Sequence, residues 1–205
     1  TIKALTDAGP AYGHSDFGHG QRVILEYVSP NTNKPLHLGH LRNAAIGWSV
    51  AKILEATGYE VIKSSIVNDR GIHIMKSMLA YQKWSELWAG KKLIHETPSR
   101  AKMKGDAFVG KYYVLYETKA GENPALEKET RELLRKWEAH DEETRTLWKK
   151  MNDWATKGYE ETLERFGVSF DKLYFESDIY EEGRAIVEAE AAAGKAQKNP
   201  DGSIS

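Results

Sequence analysis

The stretch Ser29-Pro30-Asn31-Thr32-Asn33-Lys34-Pro35-Leu36-His37-Leu38-Gly39-His40-Leu41-Arg42-Asn43 joins an apolar run to a long amphipathic one, and its reading decides the fold. Pro30 and Pro35 fix φ and push Ser29 and Lys34 toward extended backbone, so the helix begins after Pro35 and its approach is stiff. His37 and His40 then fall at or just before the first helical turn. Unpaired N–H groups and the positive end of the helix dipole gather there and attract phosphate. Gly39 between them presents no side chain, so a flat ring can lie against the backbone. The pattern reads as a nucleotide cradle.

On its N-terminal side, Arg22 to Val28 is a β-branched run interrupted by Glu26, as expected of a strand buried on both faces of a parallel sheet. A carboxylate near the carboxyl end of such a strand must be paired or face a cavity. Glu26 therefore either joins Arg22 or Lys63 in an ion pair or lies in the crevice at the carboxyl edge of the sheet, where open α/β sheets bind ligands. On the other side a helix is predicted from Leu38 to Thr57, with Leu41, Ala45, Trp48, Ala51, Ile53 and Leu54 at helical spacing and Gly58 as its stop. Glu60 to Val67 is a second strand. Strand, helix and strand in this length demand a right-handed crossover and a parallel pair. Asn68-Asp69-Arg70-Gly71 then ends at the same crevice, where Asp69 is either the N-cap of the next helix, Gly71 to Trp84, or a ligand contact.

Composition bounds the rest. The 205 residues are 40% hydrophobic and 29% charged, which suits an α/β domain with an appended subdomain. A net charge of -1 and a pI of about 6.6 give no global basic field for nucleic acid, so any RNA contact must be local or made elsewhere. With no Cys there is no disulfide, thiol nucleophile or Cys-ligated metal, and a reducing cytoplasm is compatible. No apolar stretch reaches bilayer length and no basic-then-apolar leader is present, so a soluble chain without membrane partners is expected. Thr1 to Gln21 reads as a linker or the tail of another domain, and its two His in Gly13 to Gly20 as a polar loop rather than a metal site. The turn-like Asn199-Pro200-Asp201-Gly202 begins a hairpin that the chain cuts short, as in an excised fragment.

Between Ser85 and Arg165 the character turns helical, with segments predicted at Asp106 to Lys119, Pro124 to His140 and Asp141 to Phe166. Phe108, Tyr112 and Tyr116 at i, i+4, i+8 and Trp137, Leu147, Trp148, Met151, Trp154 and Leu163 read as a packed stripe rather than a base-stacking surface. The charges from Glu127 to Glu138 are mixed in sign and mark a solvated face, and Lys102-Met103-Lys104-Gly105 reads as a solvated basic loop. Val168 to Glu176 alternates as a returning strand, followed by a helix capped by Ser177 or Asp178 and stopped by Gly194. The expected division is residues 1–21 as linker, 22–84 as the first half of a Rossmann-like α/β domain, 85–165 as a helical insertion and 166–205 as the return to the sheet.

His37-Leu38-Gly39-His40, after a strand and opening a helix, resembles the HIGH motif of class I aminoacyl-tRNA synthetases. The run Glu26 to Asn31 with Lys34 to Asn43 is similar to the arginyl-tRNA synthetase family in particular, and Asn68 to Gly71 and Phe170 to Tyr180 also resemble its text. The resemblance implies a class I synthetase fold that activates L-arginine with ATP, supplied with Mg2+, and transfers it to tRNA(Arg), with no organic cofactor and no resident metal. Arginine's carboxylate is already ionised at neutral pH, so the reaction needs positioning and donors for developing charge rather than a general base. The resemblance further implies that His37 and His40 are those donors, that Gly39 lies under the adenine and that Lys34 reaches the phosphates. It places Asn31 and Ser29, with His37 beside them, at the amino-acid end, and Glu26 opposite the guanidinium. A carboxylate suits that planar fork of donors and rejects neutral amino acids. The family's second, KMSKS-type loop, a downstream Tyr and Asp of the amino-acid pocket and the anticodon-binding and N-terminal domains have no counterpart here, so this chain alone is expected not to charge tRNA, and most tRNA contacts are expected outside it. Two other classes remain: another HxGH nucleotidyltransferase, which would lack the insertion and the Glu26 to Asn31 run, and a non-catalytic module that binds a partner through its aromatic helices. Half a metal site at the two His has no evident third ligand, and zinc helices more often use i, i+4.

Overall fold

The structure, a computed structural model, describes residues 2–89, 92–199 and 204. Its organising unit is the expected crossover. Strand β1 (Arg22–Glu26) leads through the quoted loop into helix α2 (Leu38–Ala56), and strand β2 (Glu60–Val67) returns parallel to β1, from Arg22 opposite Glu60 to Glu26 opposite Ser64. Strand β5 (Lys172–Phe175) pairs parallel with the other edge of β2, giving the order β1-β2-β5. The fold class is thus α/β, a parallel sheet with many helices.

β1 is not buried on both faces. Residues 22, 24 and 26 are exposed, with Ile24 at 65%, while Leu25 and Tyr27 pack with Ala44 and Trp48 of α2. β1 is the edge of the three-stranded sheet and its face at residues 22, 24 and 26 is uncovered, so it alternates as a half-exposed strand does. The predicted stripe of α2 holds at Leu41, Trp48, Ala51 and Leu54, which are buried or half-buried, but not at Ala45 and Ile53, which are exposed. Ala44, Gly47 and Ala51 face the sheet and Ile53 is 63% exposed, because small residues let the helix lie close over Tyr27.

After β2, helix α3 (Ile72–Trp84) leads to an antiparallel hairpin, β3 (Glu86–Ala89) with β4 (Lys92–His95), that the sequence reading missed. A single turn, α4 (Pro98–Ala101), precedes α5 (Gly105–Ala120), α6 (Ala125–Glu138) and α7 (Glu142–Phe166). The aromatic stripe is core: Phe108, Tyr112, Tyr116 and Trp137 are all at most 1% exposed and pack with Met75 and Met78 of α3. Burial of this much apolar surface, at ~25 cal/mol per Å2, accounts for the stripe without invoking a partner. Lys104 is not a solvated loop residue. Its ammonium pairs with buried Asp106 at 3.1 Å and donates to Gly158 O at 3.0 Å and to Thr162 Oγ1, tying the start of α5 to α7.

The return is shorter than predicted. Within Val168 to Glu176 only Lys172–Phe175 pairs as a strand; before it, Val168 is buried and Asp171 N–H donates to Lys63 O at 2.8 Å. Helix α8 (Glu176–Ala192) starts at Glu176, so Ser177 and Asp178 lie inside its first turn and do not cap it. At the N-terminus a short exposed helix, α1 (Ile2–Ala8), and a 3-10 turn (Gly9–Ala11) stand where no periodic structure was expected. Ser15, Gly18 and Gly20 then donate their N–H groups to Ala56, Thr57 and Gly58, satisfying the free carbonyls at the end of α2. Of the predicted terminal hairpin, residues 200–203 lie outside the described residues; Lys198 and Ile204 form an antiparallel bridge. Among the described residues no helix is long and apolar enough to cross a membrane.

Candidate functional site

The mouth of α2 is built by its own two imidazoles. His37 is the N-cap, and its Nδ1 accepts the Gly39 N–H at 3.1 Å, while His40 Nδ1 accepts the His37 N–H at 3.1 Å. The pair is a reciprocal capping box made from histidines, with ring centroids 4.0 Å apart. A ring nitrogen that accepts a backbone N–H carries no proton, so in each neutral imidazole the proton is on Nε2. Both rings therefore offer an Nε2–H donor at the electropositive end of the helix. Burial lowers the His40 pKa below the ordinary 6.5, and the neighbouring His37 and Lys34 lower it further, which keeps the ring neutral and its Nδ1 free to accept. Lys34 thus lies within electrostatic reach of His40. Gly39 is exposed, and a Cβ there would stand 2.9 Å from the His37 ring, so only glycine lets that ring fold back over the helix start.

The lead-in is strained rather than extended. Val28 and Ser29 adopt left-handed backbone, φ 71° and 39°, although Ser29 precedes a proline and extended geometry was expected of it. Side chains from two elements hold the kink. Asn43 Oδ1 on α2 accepts the Val28 N–H at 2.5 Å, and Ser65 Oγ on β2 accepts the Ser29 N–H at 3.2 Å. Ser29 Oγ donates to Glu26 Oε1 at 2.6 Å and accepts the Ile66 N–H at 3.1 Å. Beyond Pro30, Asn31 bridges Asn68 in parallel fashion, and Tyr159 of α7 donates its hydroxyl to the carbonyls of Asn31 and Lys34 at 2.7 and 2.6 Å.

Glu26 does not form the ion pairs the sequence allowed. Arg22 pairs with Glu60 and Lys63 with Glu55 and Asp171, and among the described residues Glu26 has no cationic partner. Its exposed carboxylate sits at the carboxyl end of β1, where the loop that leads to the N-cap His37 begins. The structure thus brings His37, His40 and Lys34 together and joins Glu26 to Ser29, with Asn31 on the same loop. Sequence reasoning gave no roles to Asn43, Ser65 and Tyr159, whose signal is spatial rather than local.

Asp69 neither caps α3, whose N-cap is Gly71, nor faces the open crevice. It is 3% exposed and accepts the Ser177 N–H at 2.9 Å and the Ser177 hydroxyl at 2.6 Å, so it caps α8 from a distance. Burial raises its pKa despite those bonds. Its carbonyl accepts Trp148 Nε1–H at 2.6 Å and Asn152 Nδ2–H at 3.1 Å from α7. Arg70 lies 3.9 Å from the Tyr180 ring and pairs with Glu138 at 3.2 Å. The end of β2 is therefore bolted to both α7 and α8.

A strand, a kinked Pro-rich turn and a helix capped by two imidazoles make up an α/β unit of the class I synthetase type. Its fold is shared with the arginyl-tRNA synthetase of Thermus thermophilus (TM-score 0.67, 26% identity, covering 92% of this chain and 30% of that one) and with that of Plasmodium falciparum (TM-score 0.65, 17% identity, covering 94% and 30%). Residues 2–203 match the family described as tRNA synthetases class I (R), catalytic domain, and the chain belongs to that family. Among curated relatives it is 46% identical to the arginine--tRNA ligase of Treponema pallidum and 46% identical to that of Borreliella afzelii, in each case over 100% of this chain. It spans about a third of their length, 33% and 34%.

Proposed function

We propose that this chain is the adenylate-forming part of an arginine--tRNA ligase, which activates L-arginine with ATP, as its Mg2+ complex, and passes the arginyl group to tRNA(Arg) in the cytoplasm. Residues 22–84 and 166–205 contribute the nucleotide-binding sheet and 85–165 the helical insertion. In the first step a carboxylate oxygen of arginine attacks the α-phosphorus, the bond to the bridging oxygen breaks and pyrophosphate leaves. His37 and His40 donate Nε2–H bonds to phosphate oxygens as charge develops, which is worth ~3–4 kcal/mol per well-placed donor in comparable sites. Lys34 neutralises the leaving pyrophosphate as a point charge, and Gly39 leaves the helix start flat for the adenine. Asn31 and Ser29, with His37 nearby, receive the α-ammonium end, and Glu26 takes the guanidinium. Lysine, a point charge on a flexible stem, fits the Glu26 carboxylate less well than a planar fork does.

The observation that carries the choice of arginine is Glu26: an exposed carboxylate at the sheet edge whose one described partner is the neutral Ser29 hydroxyl. The test is amino-acid-dependent ATP–pyrophosphate exchange by the full-length protein that carries this chain, run with tRNA(Arg) present because the family resemblance implies activation on bound tRNA. Arginine is the expected substrate, and Glu26→Gln raises its KM by on the order of 10²-fold or more while leaving the KM for ATP in place. Exchange driven by another amino acid, or a Glu26→Gln protein with unchanged arginine KM, refutes the reading.

A further inference from the structure

We infer that Tyr159, deep in the helical insertion, is a positioning residue for the substrate loop; the inference rests on the proposed roles of Asn31 and Lys34. The Tyr159 side chain rises from α7, is 3% exposed and ends on two backbone carbonyls of one loop, Asn31 at 2.7 Å and Lys34 at 2.6 Å. One hydroxyl proton shared between carbonyls three residues apart fixes the arc of backbone between them, and so the bases of both side chains that the reaction uses. Other restraints come from the end of β2, where Asn68 N–H donates to Pro30 O at 2.9 Å and Thr32 N–H donates to Asn68 O at 3.0 Å, and neither of these reaches the Asn31 or Lys34 carbonyl. Pro30 borders a cavity of about 290 Å3, lined also by Val67, Tyr159, Leu163 and Phe170, rather than a filled core. The opposite flank is held by backbone approach. A Cβ on Gly110 of α5 would come within 2.6 Å of Pro35 Cδ, so α5 and α7 grip the loop between them. Burial holds the phenol far above its usual pKa, with Asp106 adding to the rise, so the hydroxyl remains a donor across the working range.

Tyr159→Phe in the full-length protein removes one oxygen and little volume. The expected result is a rise of about 10-fold in the KM for arginine and a fall of about 10-fold in kcat, because small displacements of reacting groups are costly in rate. Hydrogen exchange of the amides between Asn31 and Lys34 quickens by about 10-fold, the same energy read without substrate. Tyr116→Phe is the matched control: Tyr116 is 1% exposed and accepts a hydrogen bond from Thr130 at 2.7 Å, far from the loop, and its loss moves melting temperature without moving KM. Should Tyr159→Phe fail to fold, Gly110→Ala presses the same loop from the other side and is expected to shift KM alike. An active parent whose Tyr159→Phe variant keeps KM and kcat within 2-fold overturns the inference. A parent that does not activate arginine overturns the functional reading instead, and loop exchange then decides the clamp: unchanged exchange in the variant overturns it.

Discussion

Replacing Asp69 by alanine is expected to lower the stability of this chain by about 2–3 kcal/mol, and the figure follows from its contacts. The carboxylate caps the first turn of α8 through the Ser177 N–H, a bond of the kind whose loss costs ~1 kcal/mol. It also accepts the Ser177 hydroxyl, a hydrogen bond to a charged group worth ~1.5–3 kcal/mol. Removing the buried charge recovers part of this, since burial already disfavours ionisation of Asp69. The Asp69 carbonyl bonds to Trp148 and Asn152 survive the substitution. For a chain of this size the net loss converts to a fall in melting temperature of roughly 4–12 °C. Asp69→Asn should behave differently. Its carbonyl oxygen still accepts the Ser177 N–H and its amide can donate to the Ser177 oxygen, so it stays within about 1 kcal/mol of the parent. The pH dependence separates the two. A carboxyl whose folded pKa is raised above the ordinary 3.8 contributes stability that is fully present below 3.8 and is lost as pH rises through the folded value. Circular-dichroism melts from pH 4 to 8 should show that decline in the parent and not in Asp69→Asn. The reasoning fails if Asp69→Ala melts within 1 °C of the parent, or if Asn is as damaging as Ala.

Two further outcomes are expected. Gly158→Ala adds a Cβ 2.5 Å from Asp106 Oδ1 and 2.6 Å from Asp106 N, and the backbone atom cannot yield without moving α5 from α7. Overpacking costs ~1–3 kcal/mol and helix propensity returns ~0.5–1, so the melting temperature should fall by a few degrees; a rise would show that the helices are free to part. The His40 imidazole should titrate below 6.5 by NMR, with Lys34→Ala moving it upward, and the stability it contributes, fully present above 6.5, should be lost as pH falls through that lowered value, because protonated Nδ1 releases the His37 N–H. A titration at or above 6.5 would contradict the capping box.

The βαβ unit was legible because its signals are local: a β-branched run, two prolines, a glycine stop and a second run fix order and direction within some forty residues. The insertion helices were legible for the same reason, through Phe108, Tyr112 and Tyr116 recurring at one helical face. The hairpin of β3 and β4 escaped because strands of four residues carry too little period to separate from a loop. The exposure of β1 escaped because it depends on what covers the sheet, not on the strand. Within the site, His37 and His40 were visible as a motif, but their mutual capping was not, since histidine is an unusual N-cap. Tyr159 and Asp69 were invisible as partners because their contacts span 128 and 108 residues.

The kink at Val28 and Ser29 survives on contacts of shorter span, three of them from outside the turn. Left-handed backbone at Val28 and Ser29 costs ~1–3 kcal/mol per residue, about 2–6 in all, more than a loop of this length can supply from within itself. Four bonds oppose it, from Asn43 and Ser65 to the two amides and from Ser29 Oγ to Glu26 and Ile66, at ~0.5–1.5 kcal/mol each, or roughly 2–6 together. The two sums are comparable, so the kink is poised rather than locked, and small changes in its supports shift it. The outside supports of the kink lie on α2 and β2, and Tyr159 of α7 holds the loop further on, at Asn31 and Lys34. The position of Glu26, Asn31 and Lys34 is therefore set jointly by the crossover and the insertion, and a substitution at Asn43 should displace the acidic end of the site as surely as one in the loop itself.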